Sequence, residues 1–329
     1  MSGSDLSPEF SAVFRRHADA RGAMSFARFM ALALYDPDVG YYRQPRSRVG
    51  YGGETDFFTA STSGPLFGEL VAAACAGLLR ASGRDPALHT FVEIGAEPAS
   101  GVLAGVAHPF AAERCVHVGE TPKLAGNCVV FSNELFDAQP CSRTVVRAGR
   151  WRELGVRLEN DRLVEIDWDG ESNLPEMAPA ASLPDGYHFD RPDAATTLAA
   201  SLAAPGWEGL FVAFDYGKTL RQLLEETPAG TARAYYRHTQ SNDLLANPGQ
   251  QDLTCHICWD WLESALVSNG FAAPSLVTQE SFFIRQAGEL IASVSRAEAA
   301  RFSRRKLALL QLLHPSHLGQ KFQVLHALR

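Results

Sequence analysis

No stretch of the 329-residue chain approaches the roughly 18 consecutive apolar residues that a bilayer-spanning helix needs. Membrane insertion is therefore not expected. The start, MSGSDLSPEFSAVFRRHADARG, has no apolar segment behind a basic one, so no secretory signal is expected either. An excess of positive charge is also missing: 30 Lys and Arg stand against 37 Asp and Glu, for a net charge of −7. That balance argues against a nucleic-acid binder, which usually presents a basic face. Cysteine is scarce. Cys75, Cys115, Cys128, Cys141, Cys255 and Cys258 follow no repeated spacing, and reduced thiols in the cytoplasm are expected. The GxSxG, HExxH and GK(S/T) signatures are absent, and no segment repeats or is low in complexity.

What is present begins with helical periodicity over residues 8–34, carried by Phe10, Val13, Phe14, Phe26, Phe29, Met30 and Leu34. YDPDVGYY (35–42) breaks it, and a Gly-rich segment follows. A second amphipathic helix is expected over Leu66–Arg80. HTFVEIG (89–95), ERCVHVGE (113–120), GNCVVFSNE (126–134) and GLFVAFDYG (209–217) are short apolar runs ending in glycine or a carboxylate. Such runs suit strands of a parallel sheet covered by helices on its faces. Residues 141–208 instead alternate like an antiparallel meander and then enter a Pro-rich loop, as an inserted subdomain would. CHICWDWLESALVSNGF reads as strand then helix, stopped at Gly270, and SRAEAARFSRRKLALLQLLHP as a basic amphipathic helix. The basic residues Arg301, Arg304, Arg305 and Lys306 on that helix suit a solvated face or a partner surface.

Ligands of open α/β sheets bind beyond the carboxyl ends of the strands. Those ends carry Glu93 and Gly95, Glu120, Asn133 and Glu134, and Asp215 and Gly217. Glu120 could accept both hydroxyls of a ribose, or be an ordinary solvated acid. FVEIGAEPASG (91–101) is a poor nucleotide turn, because Glu97 and Pro98 stand where a backbone approaching an anion favours glycine. A nicotinamide cofactor is accordingly disfavoured. NELFDAQP (133–140) delivers Asn133, Glu134 and Asp137 into one turn, a grouping that suits a guanidinium or amine substrate. Helix capping would account for Asn133 or Asp137 equally well. The CxxC at Cys255 and Cys258 lacks a second ligand pair and reads as a strand, so no metal is expected.

Several ordered blocks together resemble the MidA family, whose members include an arginine methyltransferase of mitochondrial complex I assembly. The blocks are FARFMALALYDPDVGYY, DFFTASTSGPLFGEL, NELFDAQP, GRWRELGV, FDYG, GTARAYYRH, PGQQDLTCHI, VTQESFF and LLHPSHLGQKFQVL. The resemblance implies a seven-stranded, Rossmann-like class I methyltransferase sheet with helices on both faces. It also implies an N-terminal helical segment (1–85), a core formed by 86–140 and 209–329, and a smaller inserted α+β subdomain (141–208). The implied cofactor is S-adenosylmethionine. By motif, Glu93 and Gly95 would begin the cofactor turn, Glu120 would hold the ribose, and Asp215 would join the cofactor site, ending a later strand with Tyr216 and Gly217. Asn133 and Glu134 would face the methyl group and substrate, and Asp137 or His238 would relay a proton. Asp252, Thr254 and His256 would lie around the same cleft. The implied partner is a protein substrate methylated at a nitrogen such as arginine.

The chain also departs from the family. Glu97 and Ala99 replace turn glycines, Ser61–Gly64 replace a Pro-Glu-Ile-Ser block, and the segment from Gly101 to Asn133 is short. A carboxylate about 4 Å from the cofactor's own would cost about 1 kcal/mol in water and about 4 kcal/mol at an effective dielectric of 20. A cofactor-impaired assembly or interaction module is the alternative expectation.

Overall fold

Ser7 accepts a hydrogen bond from the Phe10 amide at 3.1 Å and Pro8 fills the first helical position, so the first helix begins at Pro8. It runs only Pro8–His17. The Asp19 carboxylate takes the Arg21 and Ala23 amides, Gly22 adopts a left-handed φ of 73°, and the chain turns into a strand at Ala23–Ser25. Ser25 then caps a second helix, Phe26–Tyr35. The single periodic stretch expected over 8–34 is thus two helices, because side-chain capping at Asp19 and Ser25 satisfies the backbone there better than a continued helix would. The computed structural model describes residues 6–44, 64–97, 101–169, 180–299 and 303–329. The departures at Ser61–Ser63, Pro98 and Ala99, the basic Arg301 and part of the Pro-rich loop lie outside the described residues.

The chain divides into two compact units. The first comprises Met1–Phe57, Phe136–Thr197 and Lys218–Cys258; the second comprises Phe58–Leu135, Leu198–Gly217 and Trp259–Arg329. In the first unit, strands Ala23–Ser25, Arg150–Glu159, Ser142–Arg147 and His188–Arg191 lie side by side, with Arg162–Asp167 also paired to Arg150–Glu159, all antiparallel. A smaller antiparallel sheet has the order Thr239–Ser241, Arg233–Tyr236, Asp252–Thr254. Phe10, Phe14, Phe26, Phe29, Tyr41, Val156, Ala234 and Leu253 share this unit's core. Its buried charge is paired: Asp190 accepts from Arg143 at 3.0 Å and from the Thr231 and Ala232 amides at 2.7 and 2.8 Å.

The second unit holds the main sheet. Its strands are β1 (Thr90–Ile94), β2 (Ala112–Val116), β3 (Gly126–Asn133), β4 (Trp207–Asp215), β5 (Ala272–Thr278) and β6 (Gln323–Leu328). The order is β5-β6-β4-β3-β1-β2. The pairs β1–β2, β1–β3 and β3–β4 are parallel, whereas β6 runs antiparallel to both β4 and β5. The four apolar runs of the sequence are these parallel strands. Phe91, Val129, Phe131, Leu210, Val212 and Phe214 alternate onto one face and join the helices Pro65–Ala81, Gln279–Gln286 and Arg304–Leu313 in one core. Phe67 sits at its centre, 5.7 Å from Phe214 and 6.0 Å from Phe283, ring to ring. Helix Trp259–Ser268 packs on β5 and β6. Of the basic helix expected over 295–315, Arg304–Leu313 is helical, and Ser295–Ala297 instead end the preceding helix, Gly288–Ala297.

Seven strands were implied by the family resemblance; the sheet has six among the described residues. Parallel neighbours usually require a crossover of a dozen or more residues, most often helical. Here residues 95–111 join β1 to β2 and residues 117–125 join β2 to β3, and neither connection contains a helix among its described residues. The first connection lies flat on the helix Pro65–Ala81, with Leu103 and Phe110 buried in the same core and Phe110 tilted on Phe91 at 5.3 Å. Gly68 makes this possible, since a Cβ there would overlap the Val102 carbonyl oxygen and stand 3.1 Å from Val106 Cγ2. Gly68→Ala should therefore destabilise the fold by about 2–3 kcal/mol through overpacking. The expected result is a lower urea midpoint at unchanged slope; an unchanged midpoint would contradict the close approach.

Candidate functional site

Because β1, β2, β3 and β4 are aligned in parallel, their carboxyl ends meet along one edge of the sheet in the second unit. Gly95 follows β1 with φ at 78°, and a Cβ there would come 2.8 Å from Leu135 Cδ1. The positive φ is what favours glycine here, since the end of the Leu135 side chain could move aside. The Gly95 and Ala96 amides donate to the Val116 carbonyl at 2.9 and 3.2 Å, and the His117 Nδ1 donates to the Ala96 carbonyl at 3.0 Å. The turns after β1 and β2 are thus tied together.

Glu93, one residue before the end of β1, points its carboxylate back at the connection. Its Oε2 accepts the Val102 amide at 2.6 Å and lies 3.9 Å from Cys115 Sγ. Burial pushes this carboxyl up to about 7, and Glu113 adds to the effect, while the Val102 amide and His117 oppose it. Glu93 therefore fastens the chain after the turn to the sheet. Glu120 is exposed; its Oε2 accepts the His117 amide at 2.9 Å, and its own amide donates to the His117 carbonyl at 3.0 Å. It borders an open depression of about 370 Å³ with Arg114, Cys115, Val116, Thr121 and Lys123.

The end of β3 carries the most constrained group. Glu134 has φ at 51°, the left-handed region that costs a non-glycine residue about 1–2 kcal/mol. Its amide donates to the Phe214 carbonyl at 2.9 Å, extending the β3–β4 pairing by one residue. The Glu134 carboxylate is gripped from two sides, Oε1 accepting from Asn133 Nδ2 at 3.1 Å and Oε2 from the Tyr216 hydroxyl at 2.8 Å. Asn133 Oδ1 is a buried acceptor that meets no donor among the described residues. Asp215 is fully buried at the end of β4 and accepts the Tyr216 amide at 2.9 Å.

Glu93, Gly95, Glu120, Asn133, Glu134 and Asp215 thus all fall at the strand ends of the second unit. Asp137 and His238 belong to the first. Asp137 is buried, and its carbonyl accepts the Cys255 amide at 2.8 Å. His238 is exposed at the tip of the hairpin between Arg233–Tyr236 and Thr239–Ser241, with φ at 62°. In the same unit Asp252 accepts from the Tyr42 hydroxyl at 3.0 Å, and His256 is pushed down to about 4 by burial and by Lys218 and Arg233. Sequence reasoning assigned no role to Tyr216, His117 or Tyr42. The aromatic hydroxyls within FDYG and YDPDVGYY were the available signal for two of them.

The family described as "Putative S-adenosyl-L-methionine-dependent methyltransferase" matches residues 100–276, more than half of the chain. The chain belongs to this family. A mitochondrial protein arginine methyltransferase of Danio rerio, NDUFAF7, is 24% identical to this MidA-like methyltransferase, over 92% of the chain and 83% of the relative. The crystal structure of a methyltransferase candidate from Burkholderia thailandensis bound to S-adenosyl-homocysteine is also 24% identical. It covers 100% of this chain and 95% of its own with a TM-score of 0.83. A native crystal structure of an uncharacterised protein from the same organism, also 24% identical, covers the same shares at 0.79. The family and the methyltransferase fold expected from the motif order are borne out.

The site residues fit the family's cofactor at two points. Asn133 offers a buried acceptor in want of a donor, and the depression beside Glu120 opens at the end of β2.

Glu93 supplies a pH test. Its native value of about 7 exceeds the ordinary 4.5, so the folded chain holds that proton more tightly than the unfolded chain. The associated stability, about 3 kcal/mol by linkage, is complete below the unfolded value and is lost as pH rises through 7. Glu93→Gln should remove this slope and leave the variant more stable than wild type at pH 8, as measured by urea unfolding at several pH values. Parallel curves for the two proteins would contradict it.

Proposed function

We propose that this chain transfers a methyl group from S-adenosylmethionine to a nitrogen of a protein substrate, with arginine as the favoured acceptor. The observation that carries the proposal is the Glu134 carboxylate at the end of β3, whose backbone is in a strained conformation and whose two oxygens accept from Asn133 and Tyr216. Strain of this kind is retained where surrounding structure holds a group in place for use. A fixed carboxylate is the natural partner of a guanidinium, which it can pair through two parallel hydrogen bonds. The Danio rerio relative is named as a protein arginine methyltransferase, which supports the same acceptor.

The bound cofactor would supply an electrophilic methyl on a sulfonium. On this proposal Gly95 lets the backbone come close to it, Glu120 accepts from its ribose hydroxyls, and Asn133 Oδ1 accepts from a donor on cofactor or substrate. Glu93 and Asp215 act from behind, fixing the connection after β1 and the turn after β4. Glu134 orients the guanidinium so that one nitrogen lone pair faces the methyl carbon. Holding two reactants near attack distance can recover about 7–11 kcal/mol of the barrier. The Glu134 carboxylate paired with the guanidinium is the proposed acceptor of the proton that the methylated nitrogen gives up. A cytoplasmic setting belongs to the same proposal.

Isothermal calorimetry with S-adenosyl-homocysteine should give saturable heat in the wild type and at least a tenfold weaker affinity in Glu120→Ala, the order expected for one charged hydrogen bond. Absence of heat and of a thermal shift in the wild type would favour the cofactor-impaired assembly module instead. Glu134→Gln should bind the same ligand normally yet lose at least about a hundredfold in methyl transfer, measured with tritiated S-adenosylmethionine, since it loses the charge that pairs the guanidinium. An unchanged rate would remove Glu134 from its role.

A further inference from the structure

We propose that Tyr216 is a positioning residue for Glu134, and that Phe322, from the carboxyl-terminal part of the chain, holds Tyr216 in place. The inference rests on the reading of Glu134 given above. The Tyr216 hydroxyl donates to Glu134 Oε2 at 2.8 Å, within the range of a charge-assisted bond. Asn133 Nδ2 donates to the other oxygen at 3.1 Å, so the two donors together fix the plane of the carboxylate. The last torsion of a glutamate is broad, so each of these donors narrows it.

Tyr216 is itself fixed at both ends. Its amide donates to Asp215 Oδ1 at 2.9 Å, and Asp215 is fully buried at the end of β4. Its ring lies 4.7 Å from that of Phe322, which is buried just before β6. The Phe322 carbonyl accepts the Gln279 amide at 3.0 Å, and Gln279 Nε2 donates to the Leu312 carbonyl at 2.9 Å. The clamp on the carboxylate is therefore continuous with the segments that carry VTQESFF and LLHPSHLGQKFQVL. Both lie far from β3 in sequence, and neither supplies a group that would touch substrate in the reading above.

The decisive substitution is Tyr216→Phe, which keeps the ring against Phe322 and removes only the hydroxyl. The contact is read without any reaction by a double-mutant cycle in urea with Glu134→Ala. The two substitutions should be non-additive by about tenfold or more in the folding equilibrium constant; additivity overturns the proposal. The role is read by transfer from tritiated S-adenosylmethionine to a peptide bearing one arginine. Tyr216→Phe should lower kcat about ten- to a hundredfold while leaving the KM for S-adenosylmethionine unchanged. A purely structural tyrosine would raise that KM without selectively lowering kcat, which overturns the proposal, as does an unchanged kcat. Absence of wild-type transfer removes the reaction proposed above and the positioning role with it, while a coupled cycle would leave the contact itself standing.

Discussion

Parallel alignment of β1, β2, β3 and β4 is the constraint on which the candidate site depends. A parallel ladder brings every strand's carboxyl end to the same edge, so four separate segments deliver Gly95, Glu120, Glu134 and Asp215 to one side of the sheet. Apolar runs in β1, β3 and β4 make this possible, since strands covered on both faces favour apolar residues throughout, while β2 at the edge of the sheet keeps exposed charges. The same burial forces the polar groups to the strand ends, where they bond to one another: Glu134 to Asn133 and Tyr216, Tyr216 to Asp215, and His117 to Ala96.

The cost of the arrangement appears in the connections. Without a helix after β1 or β2 among the described residues, the chain from Gly101 to Phe110 must cover the sheet itself. Leu103 and Phe110 do so by entering the core, Gly68 allows the backbone to lie against a helix, and Glu93 secures it through the Val102 amide. A Cβ at Gly101 would stand 3.2 Å from Glu93 Oε2 and press on the Cys115 sulfur, so this corner is packed as tightly as the core. Glu93, formally a member of the cofactor turn, thus serves in the structure as a fastening for the shortened connection. On the outer side, β2 is exposed at Ala112, Glu113 and Arg114, and the depression beside Glu120 is open.

The sequence made the parallel strands legible because a buried strand has a simple signature, an apolar run closed by glycine or a carboxylate. The antiparallel meander from Ser142 to Asp167 was legible from its alternation for a similar reason. Periodicity failed at Asp19 to Ser25, where two stretches of helical apolar spacing adjoin while two capping side chains and Gly22 interrupt the helix. It failed again in the tail, where the expected helix over 295–315 runs only from Arg304 to Leu313 and its first residues close the helix before it. In the site, the acidic residues were visible from their place at strand ends. Their donors were not: Tyr216 reaches Glu134 across 82 positions, and Val102 reaches Glu93 only because the intervening chain folds back. A one-dimensional pattern records which group is charged, but not what holds it.

The central claim is that this strand edge holds the family's cofactor despite its altered turn. A crystal structure grown in excess S-adenosyl-homocysteine tests it most directly. Density for the ligand over Gly95, with its ribose against Glu120 and its sulfur facing Asn133 and Glu134, is the expected result. Well-ordered strand ends with no ligand along this edge would contradict it.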